Sequence, residues 1–262
     1  MNILNTIVAK KKIEVAQRKQ KTSTQELEKQ ISFANKTLSL KEFLLHKNRT
    51  GIIAEYKRKS PSKGIINNHS TVEEVTTAYA KYASGISVLT DEEFFGGSLN
   101  DLLAATINEL PLLRKDFMID EYQIIEAKAN GADVILLIAA CLSTQQVKNF
   151  SALAKSIGLE ILLEIHNEEE LNHICDEVDF VGVNNRNLKT FEVNIQTSLQ
   201  LIQKIPTNKI AITESGINNV DSIVTLRNAG FKGFLIGENF MKENNPAIAF
   251  ENFVQQLKTK LA

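Results

Sequence analysis

Short segments of the chain set acids, bases and amides directly behind runs of aliphatic residues: IIAEYKRKSPSKG, SVLTDEEFFGG, PLLRKDF, LLEIH, VGVNNRNL, ITESGI and FLIGENFM. In the first of these, Glu55 and Lys57 stand two apart at the end of an apolar run. If that run is a strand, the two project from one face, while Tyr56 and Arg58 project from the other. An acid and an ammonium side by side on an apolar wall are suited to moving protons and to stabilising charge that develops on a substrate. Lys115, Glu164, Asn184, Glu214 and Ser215 bring the same chemistry to the ends of their own runs. The competing reading of KRKSPSKG is a solvated loop, because charge runs are usually surface features. Pro61 ends the extended segment, and Ser60, Ser62 and Gly64 give the following turn hydroxyls and backbone freedom that suit an anion.

The elements that must position these groups follow a regular beat. Strands are expected at 52–57, 86–91, 110–117, 133–140, 160–166, 180–185, 209–215 and 233–238, all rich in Ile, Val and Leu. Between them lie helical patterns such as VEEVTTAYAKYA, YQIIEAKANG, STQQVKNFSALAKSIG, NEEELNHI, TSLQLIQKI and DSIVTLRNAG, with Gly85, Gly131, Gly158 and Gly230 as expected helix exits. Runs apolar on both faces, each followed by a helix, imply a parallel sheet covered by helices, and this number of units implies a closed (β/α)8 TIM barrel. An open doubly wound sheet would want a GxGxxG turn after its first strand, where this chain has KRKSPSKG. Residues 1–48 read instead as a helical extension, with IVAKKKIEVAQRKQ, TQELEKQISF and LSLKEFLLH as its segments. Capping one barrel end and leaning over the substrate mouth are equally open roles for it. With no low-complexity linker in between, one domain is expected over 1–262, the barrel occupying 50–262.

Composition narrows the partners. The chain has 262 residues, 43% of them hydrophobic, and 30 basic against 31 acidic side chains leave a formal charge of −1. No global field favours nucleic acid or an acidic membrane, so a small molecule is the expected partner. The N-terminal segment lacks the apolar core of a signal peptide and no stretch reaches the length of a membrane span, which predicts a cytoplasmic protein. Cys141 and Cys175 form neither a CxxC nor a framework, and His46, His69, His166 and His173 are scattered, so inert thiols and no metal site are expected.

In such a barrel the active site lies at the C-terminal ends of the strands. The charged and polar groups there are Glu55 and Lys57, Thr90 and Asp91, Lys115 and Asp116, Glu164 and His166, Asn184 to Arg186, Glu214 and Ser215, and Glu238. Buried charges need partners, so a barrel built only for stability has no use for so many. A single one of them, such as Glu214 paired with a lysine, can still serve the barrel's shape. The glycines of SGI and GEN, Gly216 and Gly237, follow the last two strands, the usual place of a barrel phosphate site.

Taken in order over residues 50–245, these motifs resemble the strand-end motifs of the indole-3-glycerol-phosphate synthase family, and the helical extension is similar to the one that family adds to its barrel. The resemblance implies ring closure of 1-(2-carboxyphenylamino)-1-deoxyribulose 5-phosphate to indole-3-glycerol phosphate, with loss of carbon dioxide and water and without a cofactor, in tryptophan biosynthesis. It implies Lys115 as general acid and Glu164 as general base, with Glu55, Lys57, Asn184 and Ser215 completing the catalytic set. Ser60, Phe117, Arg186 and Glu214 are implied as substrate contacts, with Gly216 and Gly237 at the phosphate beside Lys57. Two residues depart from the family pattern: Lys59 stands where a small residue is usual, and Glu238 where some relatives have Ser. Glu238 is expected to turn away from a phosphate, and Arg58, Lys59 and Lys63 to be mostly solvated. A monomer is expected. The alternatives are a phosphoribosylanthranilate isomerase-like barrel, whose strand-one cysteine is missing here, and a sugar-phosphate-binding barrel without turnover.

Overall fold

The structure is a computed structural model that describes residues 3–31 and 37–261. Its parallel strands β1 (Ile52–Tyr56), β2 (Gly85–Leu89), β3 (Leu112–Lys115), β4 (Val134–Ile138), β5 (Glu160–Ile165), β6 (Phe180–Asn184), β7 (Ile210–Glu214) and β8 (Gly233–Ile236) form a closed barrel. Neighbours in sequence pair in parallel, and β1 closes the ring against β8, with Ile52 opposite Phe234 and Ala54 opposite Ile236. Parallel neighbours need crossovers, and helices on the outside supply most of them. The strands are shorter than the apolar runs suggest. Thr90, Asp91, Asp116, His166, Asn185 and Ser215 lie just beyond the ladders, where the backbone bends into the loops.

Alternation explains why the polar groups gather. Ile53, Leu113, Leu162, Ile212 and Leu235 belong to one buried cluster inside the ring. Two residues further along the same strands stand Glu55, Lys115, Glu164, Glu214 and Gly237, so the layer above the apolar plug is charged. The outward-facing residues, among them Ile52, Val88, Ile135, Val181 and Phe234, pack in a second cluster with the helices. The closing helix Pro246–Leu261 joins that layer, its Phe250 ring edge-on to Tyr79 at 4.9 Å between centroids.

The extension serves both ends of the barrel. Helix α1 (Ile3–Lys21) lies at the C-terminal mouth, and α2 (Thr24–Gln30) packs Leu27 with Ile31 against Tyr122 and Ile125 of the helix Glu121–Ala129. The last residues of the expected TQELEKQISF helix, 32–33, lie outside the described residues. Helix α3 (Leu40–Leu45) plugs the opposite end, burying Leu40 and Leu44 in the interior cluster. Carboxylates at the strand starts hold it: Glu160 accepts from the Ser39 hydroxyl at 2.6 Å and the Leu40 amide at 2.7 Å, and Asp133 accepts from the Leu38 amide at 2.8 Å.

Three local expectations are corrected. Gly85 is no helix exit but the first residue of β2; a Cβ there would lie 2.7 Å from Leu40, so the glycine makes room for the α3 plug. NEEELNHI forms only a 3-10 segment, Glu169–His173, which stops where Ile174 turns extended. The segment after β1 is a hairpin, with Lys59–Ser60 paired to Gly64–Ile65.

Candidate active site

The charged layer floors a pocket of about 860 Å3 at the C-terminal mouth. Glu55 and Lys57 share its wall as their spacing requires, with Lys57 Nζ 2.8 Å from Glu55 Oε1. On the other face of the same chain Tyr56 donates to the Ser70 carbonyl, and the Arg58 guanidinium lies over its ring at 5.0 Å. Arg58 is not solvated as expected. It forks onto Asp101 at 2.6 and 2.8 Å and ties the hairpin to the helix Leu99–Ala105 that follows β2. Lys59 has turned out of the pocket wall and donates to the Glu93 carbonyl.

Lys115 is the centre of the site. Its Nζ lies 2.8 Å from Glu164 Oε2 and 2.6 Å from Glu214 Oε2. Burial works against its charge, but Glu164, Glu214 and Glu55 outweigh burial and hold the ammonium well above the ordinary lysine range. Burial also acts to raise Glu164; Lys115 and then His166 overcome it and keep this carboxyl well below the usual range. Glu214 moves the other way, pushed up by burial against the pull of Lys115, with the Glu164 and Glu55 charges adding to the rise. One lysine thus holds two carboxylates of different proton affinity, an arrangement suited to separate acid and base roles. Glycine permits the crowding, since a Cβ at Gly182 would meet Glu214 Oε1 at 2.5 Å and one at Gly237 would meet Glu55 Oε1 at 2.4 Å.

The remaining groups line the walls. Asn184 Nδ2 donates to Glu164 Oε1 at 3.2 Å, and Asn184 Oδ1 accepts the Arg186 amide at 3.0 Å. Ser215 and Gly216 face the pocket with φ of 66° and 75°, a left-handed turn that ends β7. Ser60 lines the hairpin side, and Phe117 lines the apolar side with its ring 6.0 Å from that of Phe95. Glu238 does not turn away. Its carboxylate sits at the rim, 3.5 Å from Arg186 and 4.0 Å from Lys63. The pocket therefore brings together every residue expected to touch substrate.

A family model described as "Indole-3-glycerol phosphate synthase" matches residues 4–253. The chain belongs to the indole-3-glycerol phosphate synthase family. A relative of that name from Bacteroides thetaiotaomicron is 44% identical over 98% of this chain and 99% of its own length. Another from Polynucleobacter asymbioticus is 42% identical over 95% and 97%. Among solved structures, a mutant tryptophan synthase alpha-subunit from Pyrococcus furiosus superposes with a TM-score of 0.63 at 17% identity, over 80% of this chain and 99% of its own. At that identity the likeness speaks for the barrel fold alone.

Sequence reasoning missed several pocket residues of this family member. Ile3, Leu4 and Ile7 of α1 roof the pocket, and Phe95 of EEFFGG faces Phe117. Lys11 is buried at the top of the barrel, its Nζ 2.8 Å from Glu14, 2.8 Å from Asp91 and 2.9 Å from Asp116. These contacts are ion pairs rather than well-aligned hydrogen bonds. The signal for Lys11 was its phase, since it falls on the same helical stripe as Leu4, Ile7 and Val15. Cys141 and Cys175 are free thiols, burial raising the former to about 12, and among the described residues no His, Cys, Asp and Glu group could hold a metal ion. No described helix is long and apolar enough to cross a membrane.

Proposed function

We propose that the chain, acting as a cytoplasmic monomer, closes the ring of 1-(2-carboxyphenylamino)-1-deoxyribulose 5-phosphate to give indole-3-glycerol phosphate, carbon dioxide and water. The observation that carries this reading is the Lys115 ammonium held between Glu164 and Glu214 on the floor of a pocket with an aromatic side and a glycine-rich rim. The carboxyphenyl ring of the substrate lies against Phe117 and Phe95. The phosphate lies at the rim formed by Gly216, Gly237 and Ser60, with Lys57 at its side and Arg186 nearby.

In this reading Lys115 donates to the ketose carbonyl oxygen while the aryl carbon bearing the carboxylate attacks the carbonyl carbon, so negative charge on oxygen forms against an ammonium. Loss of carbon dioxide restores the aromatic ring. The hydroxyl left from the carbonyl then takes a second proton, from Lys115 recharged by solvent, and departs as water, while Glu164, the carboxylate held ionised, takes the proton given up by carbon as the double bond forms. Glu55 keeps Lys57 in place, Asn184 orients Glu164, and Ser215 adds a hydroxyl beside Gly216.

Ultraviolet detection of indole formation from the purified substrate tests the reading, with phosphoribosylanthranilate consumption as the control reaction. Indole formation without consumption of the control supports it. Turnover of phosphoribosylanthranilate alone, or of neither compound, overturns it.

A further inference from the structure

His166 follows β5 two residues after Glu164, so both side chains leave the chain on the same side. Its imidazole is 9% exposed and lies between two carboxylates. Nε2 is 3.2 Å from Glu164 Oε1, and Nδ1 is 3.2 Å from Glu170 Oε2. Glu170 is itself fixed, accepting from the His166 amide at 2.7 Å and from Asn167 Nδ2 at 2.9 Å, while its own amide donates to Asn167 Oδ1 at 3.1 Å. Apart from Glu164, Nε2 faces no acceptor among the described residues, and the contact to Glu164 is an ion pair rather than an aligned hydrogen bond. A neutral imidazole would bring one bare lone pair against a carboxylate on one side or the other. An imidazolium satisfies both.

We infer that His166 is a positioning residue that stays protonated during turnover, clamped by Glu170, and that its charge keeps Glu164 ionised as the base. The inference rests on the proposed role of Glu164. Burial alone would lower the imidazole pKa, but the close contacts with Glu164 and Glu170 and their charges outweigh burial and raise it to about 10. The groups facing Glu164 from the surrounding elements are Lys115 on β3, Cys141 after β4 and Glu214 on β7, with Glu55 and Lys57 of β1 beyond them. Counted together with Glu164 itself, this set has more carboxylates than ammonium groups until His166 adds its charge. Without that charge the cluster binds a proton more tightly, whichever carboxylate takes it.

Two measurements test this. Replacement His166→Gln keeps a donor and removes the charge, so the acid limb of the kcat profile should move up by about 1 to 3 pH units, with KM changed little and kcat recovered at higher pH. Imidazole 15N spectra, in which the His166 signals are identified by their loss in H166Q, should show both ring nitrogens protonated at pH 8. In the Glu170→Gln variant the ring should give up its proton at a lower pH than in the wild type. A neutral His166 in the wild type at pH 8, or an H166Q profile identical to wild type in an enzyme that forms indole, overturns the inference. Absence of indole formation by the wild type would count against the proposed function instead, and the 15N spectra would still decide the charge of His166.

Discussion

Replacing Lys11 by Met should undock α1 from the barrel. The ammonium is 1% exposed and meets carboxylate oxygens of Asp91, Asp116 and Glu14 at 2.8, 2.9 and 2.8 Å. At an effective dielectric of about 20, each contact carries a gross attraction of roughly 6 kcal/mol, most of which is offset by taking the charges out of water. Methionine fills much the same volume but leaves the acids behind. Asp116 keeps Arg114 at 3.0 Å, Thr90 at 2.7 Å and the Phe117 amide at 2.8 Å, and Asp91 keeps its cap on the Phe94 amide. Breaking a buried pair from one side in this way costs roughly 3 to 5 kcal/mol. The loss should fall on α1, whose other anchors include the buried Leu4, Ile7 and Val15 and the ion pairs of Lys10 with Glu93, Arg18 with Glu126 and Lys19 with Asp120. Amide exchange in α1 should accelerate by at least 10²-fold, the factor that about 3 kcal/mol of lost opening free energy implies, while the barrel strands stay protected. The acid dependence should shift as well. Burial works against the Asp116 charge, but Lys11 and Arg114 overcome it and hold its pKa well below the unfolded value. Its stabilising contribution is therefore complete above the unfolded carboxylate pKa and is lost as the pH falls through the folded one. In K11M the folded-state pKa of Asp116 rises toward the unfolded one, so this contribution should be smaller and its loss complete at a higher pH. Unchanged α1 exchange in a folded K11M protein would refute the argument that this ion cluster docks the extension.

The other predictions concern the pocket. Lys115→Met removes the donor to the carbonyl oxygen before a bond forms, so ring closure should fall by ~10²-fold or more in single-turnover assays and no intermediate should accumulate; a defect confined to dehydration would move the acid role to Lys57. Glu164→Gln keeps shape but cannot take a proton, so rapid quench should reveal a closed, decarboxylated species waiting to lose water, and near-normal turnover would remove Glu164 from the mechanism. Gly237→Ala places a methyl 2.4 Å from Glu55 Oε1 and 2.9 Å from its Cβ, so Glu55 must leave Lys57. A fall in kcat/KM of about 10²-fold is expected in steady-state kinetics, and wild-type kinetics would show that the Glu55 and Lys57 pair is dispensable.

The barrel was legible because its strands are apolar on both faces, but that same property hid which face looks inward. In VILLI of β4 every residue is buried and none is polar, so sequence alone cannot say that Val134, Leu136 and Ile138 fill the ring. The inward face shows itself only where a polar residue keeps step with an apolar one, as Glu55 does with Ile53 and Glu164 with Leu162. These were the residues the sequence placed in the site, and the structure has them share one pocket. Groups held by contacts distant in sequence were harder to read. Glu238 was expected to turn away because its own charge opposes an anion, yet Arg186 and Lys63, from loops far apart in the chain, pair with it at the pocket rim. Lys11 sits in the run Lys10, Lys11 and Lys12 and looks like one more solvated cation. Only the middle lysine falls in phase with Leu4, Ile7 and Val15, and only it is buried. The rule for strands therefore carries over to the helix with a different period: a charge placed in step with a buried stripe has to meet an opposite charge inside the fold. For Lys11 the partners on the barrel are Asp91, just after β2, and Asp116, just after β3 and next to Lys115, so the pairing that docks the extension also braces the strand end that carries the central lysine of the site.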